Sequence, residues 1–204
     1  MQPIKNIIFD LGGVFLDIHF ELTKQAFIQL GVTEFDAMFT QHHVSDLFEM
    51  LEIGKLSPEE FYEAFRKETG TTLTNDQIKT AWNALLGSFP AERIQWLAEI
   101  KTRFNIYLFS NTNQIHYESF IADFEKAFPG NDFNAHFICA YYSQTMGLRK
   151  PHVESFEYIL NEQGLNPAET LFIDDTIKNI EGAKLAGLQT IHLVAPMTVL
   201  DLGL

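Results

Sequence analysis

Three short apolar runs in this 204-residue chain end in groups that can do chemistry. Ile4 to Phe9 ends in Asp10-Leu11-Gly12-Gly13, Ile106 to Phe109 ends in Ser110-Asn111, and Leu171 to Ile173 ends in Asp174-Asp175. Lys150 stands directly before Pro151, where a helix is expected to begin. A carboxylate nucleophile, a hydroxyl with backbone amides, a cation and paired acids are the residue types that phosphoryl transfer needs. The acids also suit magnesium, a hard cation that takes oxygen ligands and combines a few carboxylates with substrate phosphate and water. Asp10 and Asp175, with a backbone carbonyl nearby, would meet that habit. Such a cation offsets the repulsion between a phosphate dianion and the carboxylate that attacks it.

These groups converge only if their strands are neighbours. Each run is mostly apolar on both faces, as expected of a buried parallel strand, and Thr190 to Val194 and the weaker Phe137 to Ala140 supply two more. Helix-period segments lie between them, for example Ile94, Leu97, Ala98 and Ile100, then Phe156, Ile159 and Leu160. Alternating strands and helices predict an α/β fold with a Rossmann-like parallel sheet, whose ligand site lies beyond the carboxyl ends of the strands. From Phe20 to Gly87 the rhythm changes, with no convincing strand and several helices. Ser57-Pro58-Glu59-Glu60 and Thr74-Asn75-Asp76-Gln77 each have the form of a capping box. The chain therefore divides into a core of residues 1–18 and 88–204 and a helical cap of residues 19–87, inserted after the first strand.

Composition narrows the function classes. Hydrophobic residues at 46% and charged residues at 20% fit a folded globular protein. A formal net charge of −13 opposes binding to a phosphate backbone, so no nucleic-acid partner is expected. No apolar run is long enough for a membrane span, and Asp10 interrupts the only early apolar stretch before it could act as a signal peptide. Cys139 is the single cysteine, so no internal disulfide forms and cytoplasmic residence is expected. The adjacent His42 and His43 lack the spacing of a metal pair on a helix. Trp82, Trp96 and the Phe residues fall at helical spacing and are expected in the core. No signal marks an oligomeric state.

Asp10-Leu11-Gly12-Gly13-Val14, Leu108-Phe109-Ser110-Asn111-Thr112-Asn113, Gly147-Leu148-Arg149-Lys150-Pro151 and Phe172-Ile173-Asp174-Asp175 resemble, in order and spacing, motifs I to IV of the haloacid dehalogenase (HAD) superfamily. Asn179, Gly182, Ala183, Ala186 and Gly187 match the tail of motif IV. The resemblance implies a C1-type cap and a phosphatase forming an aspartyl-phosphate at Asp10. It implies that Asp10, the Gly12 carbonyl and Asp175 bind Mg²⁺ with support from Asp174, and that Ser110, Asn111 and Lys150 hold the phosphoryl group. A small closing cap favours a small phosphorylated metabolite, and the branch most similar to this chain points to a sugar phosphate such as glucose 1-phosphate.

Motif I departs from the usual Asp-x-Asp, because Gly12 stands where the second carboxylate normally moves protons. Such assistance is worth about 10²–10⁴-fold in rate. Asp17, seven positions after the nucleophile as in the same branch, is the first candidate to replace it, with His19 and Glu52 of the cap as others; a turn or capping role for Asp17 is the alternative. The glycine keeps two rival functions open: a metal-independent dehalogenase-type hydrolase, and a non-catalytic regulatory protein. Specificity is expected on the cap, near Gly54-Lys55 and in the first cap turn.

Overall fold

The computed structural model describes residues 3–40 and 43–204. In chain order the elements are β1 (Asn6–Phe9), α1 (Phe20–Gln29), β2 (Phe39–Thr40), β3 (His43–Val44), α2 (Asp46–Glu52), α3 (Pro58–Thr69), α4 (Asn75–Asn83) and α5 (Ala91–Ile100). There follow β4 (Asn105–Ser110), α6 (Gln114–Ala127), β5 (Cys139–Tyr142), α7 (Ser143–Met146), α8 (Val153–Gln163), β6 (Thr170–Asp174), α9 (Ile177–Leu185) and β7 (Gln189–His192). Of the two adjacent histidines, His42 lies outside the described residues.

Five strands form a parallel sheet in the order β5-β4-β1-β6-β7. Successive side chains leave opposite faces, so Ile7 and Phe9 enter one hydrophobic cluster and Ile8 the other. Ile106 and Leu108 follow the first face, Tyr107 and Phe109 the second. Helices α5 and α6 cover one side through Leu97, Phe120 and Phe124, while α8 and α9 cover the other through Phe156, Ile159 and Ile180. With both faces buried, polar side chains are tolerated only where strands stop. Register then aligns them: Phe9 pairs with Ile173 and with Leu108, so Asp10 and Asp174 are level and Ser110 reaches one residue further.

Two edge strands differ from their apolar runs. β5 begins at Cys139, not Phe137, because Asn134–His136 form a 3₁₀ turn; Phe137 is buried beneath the sheet and Ile138 is 59% exposed. β7 ends at His192, and Val194 beyond it is exposed. Helix α8 starts at Val153 with His152 as its cap, two residues after the expected Pro151.

The inserted segment has its own core, in which Phe27, Phe35, Phe48, Phe61, Phe65 and Trp82 are fully buried. Ring pairs such as Phe27 with Phe35, 4.4 Å between centroids, and Phe39 with Trp82, 4.5 Å, each add roughly 0.5–1.5 kcal/mol beyond area burial. Both capping boxes are present, with reciprocal bonds between Ser57 and Glu60 and between Thr74 and Gln77. The segment is not wholly helical, however: β2 and β3 form a two-stranded antiparallel ladder, too short to show a period in sequence. Where the chain leaves and re-enters the core its two crossings pair, Asp17 N–H donating to the Ser88 carbonyl and His19 N–H to that of Leu85. Ile115 of α6 packs into the cap cluster, so the cap also rests on the first turn of that core helix.

Candidate active site

Lys150 is the centre of the polar cluster at the strand ends. Its Nζ donates to Asp10 Oδ1 at 2.6 Å and to Asp174 Oδ2 at 2.7 Å, with the Phe109 and Phe172 ring centroids at 5.2 and 5.4 Å. Lys150 is 1% exposed, and an unpaired charge there would cost several kcal/mol. Burial disfavours the ammonium, but Asp10 and Asp174 outweigh it and its pKa moves upward. Asp174 also accepts from Asn179 Nδ2 with both oxygens and from Thr176 N–H at 2.7 Å. It is thereby fixed as a positioning group.

The carboxylates of Asp10, Asp174 and Asp175 bring oxygens within 4.8 Å of one another. Burial raises the Asp10 pKa, Asp174 and Asp175 push the same way, and Lys150 opposes them. Asp175 is raised likewise, first by burial and then by Asp174. Three carboxylates against one ammonium leave two excess negative charges when all are ionised, which one divalent cation would balance. The donor set is all oxygen, as magnesium requires. Asp10, Asp175 and the Gly12 backbone, which borders the same cleft, are the groups that would hold it. Gly13 makes this closeness possible: its φ is 70°, and a Cβ there would lie 2.5 Å from Asp175 Oδ2. Gly182 does the same for the lysine loop, since a Cβ on it would lie 2.1 Å from the Pro151 carbonyl oxygen.

Ser110 is buried, and its hydroxyl makes one long contact of 3.5 Å to the Asn111 carbonyl. Asn111, expected to help hold the phosphoryl group, borders the cleft, and its side chain is bonded to the lysine loop: Nδ2 donates to the Lys150 carbonyl and Oδ1 accepts from Lys150 N–H, both at 2.9 Å. It clamps the lysine loop. A similar clasp that the sequence did not reveal joins Thr112 to Ser143, whose Oγ accepts from Thr112 N–H and donates to its carbonyl.

Asp17, expected as the first candidate proton carrier, sits away from the cleft. Its carboxylate accepts from Arg93 Nη1 at 3.0 Å, and it is not among the residues lining the cleft. His19, exposed at the start of α1, is not among them either. Glu52 is. The cleft holds about 410 Å³ between sheet and cap, with Asp10, Ser110, Lys150 and Asp175 at one end. Ile18, Phe39, Val44, Leu85 and Leu86 give it an apolar side. Glu49 and Glu52 of α2 give it a polar one, joined to the core by Arg149, whose Nη1 and Nη2 lie 3.4 and 2.8 Å from them. Of the places where specificity was expected, neither Gly54 nor Lys55 borders the cleft, whereas Phe20 of the first cap turn does.

A family model described as haloacid dehalogenase-like hydrolase matches residues 4–187. D-ribitol-5-phosphate phosphatase of Bacteroides thetaiotaomicron is 34% identical over 187 residues, which is 92% of this chain and 90% of that one. The structure of a HAD family enzyme from the same organism, in complex with magnesium and inorganic phosphate, superposes with a TM-score of 0.89 at 30% identity, over 95% of each chain. A HAD-like family hydrolase from Porphyromonas gingivalis superposes at 0.84 with 31% identity, over 93% of this chain and 91% of that one. With the four motifs gathered at one sheet edge and these likenesses across nearly its whole length, the chain belongs to the haloacid dehalogenase-like hydrolases.

Proposed function

We propose that the protein is a magnesium-dependent phosphatase that transfers the phosphoryl group of a small polyol or sugar phosphate to Asp10 and then to water. The observation that carries this is the buried Lys150 ammonium, 2.6 Å from Asp10 and 2.7 Å from Asp174, beside a third carboxylate, Asp175. Asp10 is the nucleophile because it stands level with Asp174 at the end of the central strand and faces the cleft. Lys150 orients it and offers positive charge to a bound phosphoryl group, and Ser110 has a hydroxyl in reach of the same cleft. Magnesium held by Asp10, Asp175 and the Gly12 carbonyl supplies charge neutralisation between phosphate and nucleophile. The excess of two negative charges favours this reading over dehalogenation, which needs no cation. The likeness to a D-ribitol-5-phosphate phosphatase supports a polyol phosphate as the first substrate to try.

The test is phosphate release from a panel of pentitol and sugar phosphates, with magnesium and with EDTA, by the wild type and Asp10→Asn. Release should require the metal and fall more than about 10³-fold in the variant. No release from any ester with magnesium present would overturn the proposal.

A further inference from the structure

We propose that Glu52, carried over the cleft by α2, is the general acid and base that motif I lacks at Gly12; this rests on the phosphatase reading above. Gly12 brings no side chain to the place beside Asp10, where a Cβ would lie 3.1 Å from Ile18 Cγ1 and 3.9 Å from Asp10 Oδ2. A proton carrier must therefore come from another wall. Beyond the carboxylates around Lys150, the described carboxyl and imidazole groups lining the cleft are Glu49, Glu52, His116 and His152.

His116 is committed to structure. Its ring nitrogens contact Asn113 Nδ2 and the Trp82 carbonyl, both at 3.1 Å, and it stacks on Trp82 at 4.4 Å. Burial lowers its pKa to about 3, so it stays neutral. His152 is exposed at the start of α8, and the Glu49 side chain is 41% exposed. Glu52 is more than nine-tenths buried.

The charges around Glu52 favour a proton on it. One guanidinium, that of Arg149, serves two carboxylates, so the trio carries a net −1 when both are ionised and is neutral with one protonated. Burial selects Glu52 as that one. The groups facing it are Arg149, Glu49 and Lys150, and the balance of burial against Arg149 raises its pKa. Its Oε2 is 2.8 Å from Arg149 Nη2 without the alignment of a hydrogen bond.

In the first half-reaction the Glu52 acid gives its proton to the ester oxygen as the P–O bond breaks and the Asp10–P bond forms, releasing an alcohol. In the second the Glu52 carboxylate takes a proton from water as the water oxygen bonds to phosphorus and the Asp10–P bond breaks. Phosphate leaves and the acid is restored, with no further reactant.

Leaving-group dependence separates proton transfer from a mere strut between cap and core. An alkoxide needs protonation as it departs, whereas p-nitrophenolate does not. With D-ribitol 5-phosphate, Glu52→Gln should lose about 10²–10³-fold in the first turnover, with a loss at least about tenfold smaller for p-nitrophenyl phosphate. Glu52→Asp, which keeps an acid, should recover part of the alkyl rate. Equal losses with the two esters, equal losses in the two variants, or no loss at all would overturn the assignment. The alkyl ester is the one the wild type hydrolyses best in the panel above, D-ribitol 5-phosphate being the first tried; failure of the wild type with every ester of that panel would instead bring down the phosphatase reading, and this assignment with it.

Discussion

The two ends of the cleft are built to different standards of rigidity. At the sheet end the central groups are fixed by several others: Lys150 by two carboxylates and two rings, Asp174 by Lys150, Asn179 and a backbone N–H, and the lysine loop by Asn111. At the cap end two carboxylates share one guanidinium, and the remainder of the wall, Thr40 apart, is apolar side chains. The sheet end meets a phosphoryl group common to all substrates, where preorganised charge lowers the barrier. The cap end meets a leaving group that varies between substrates.

The largest contrast should come from Lys150→Met. Removing the ammonium leaves Asp10 and Asp174 buried and unpaired, so stability should fall by roughly 3–5 kcal/mol and phosphate release by about 10²–10³-fold. A melting curve and a release assay check both, and a loss under tenfold would mean that the sheet end is not organised around this cation. An effect confined to acid pH is expected at the cap–core contact made by His116. Its pKa of about 3 lies below the ordinary 6.5, so between those values the unfolded chain binds the proton first. Stability from this group is complete above pH 6.5 and declines as pH falls toward 3, at up to about 1.4 kcal/mol per pH unit. Chemical denaturation of the wild type and His116→Gln across that window should show a shallower slope in the variant; identical slopes would place the titration elsewhere. Least affected should be Asp17→Asn, which removes a partly exposed pair with Arg93 worth about 0–1 kcal/mol. Turnover should change less than about threefold, and a hundredfold loss would return Asp17 to the role of proton carrier.

The sheet end was also the legible end. Asp10, Ser110 and Asp174 are polar residues terminating apolar strands, a contrast visible in sequence because both faces of those strands are buried. Lys150 announced itself only through its neighbours in the motif, since a lysine beside proline is ordinarily a surface charge. The exchange of bonds between Asn111 and the Lys150 backbone was hidden, because asparagine serves equally as cap, clamp or ligand. The place of Asp17 was hidden too: closeness in sequence to Asp10 did not bring it to the cleft once the chain turned into the junction and met Arg93. The β2–β3 ladder has too few residues for a period, and Ile138 made an apolar run that the sheet uses only in part. The Arg149 link to Glu49 and Glu52 spans about a hundred residues between cap and core, and only their packing reveals it.

The role of Asp10 is tested most directly by trapping its phosphorylated form. Magnesium-loaded protein mixed with excess D-ribitol 5-phosphate, quenched in acid within one turnover and digested, should yield the peptide containing Asp10 with one added phosphoryl group. That label should be absent with EDTA and in Asp10→Asn. Turnover without any label on that peptide, or a phosphoryl group on another side chain, would contradict the assignment of Asp10 as nucleophile.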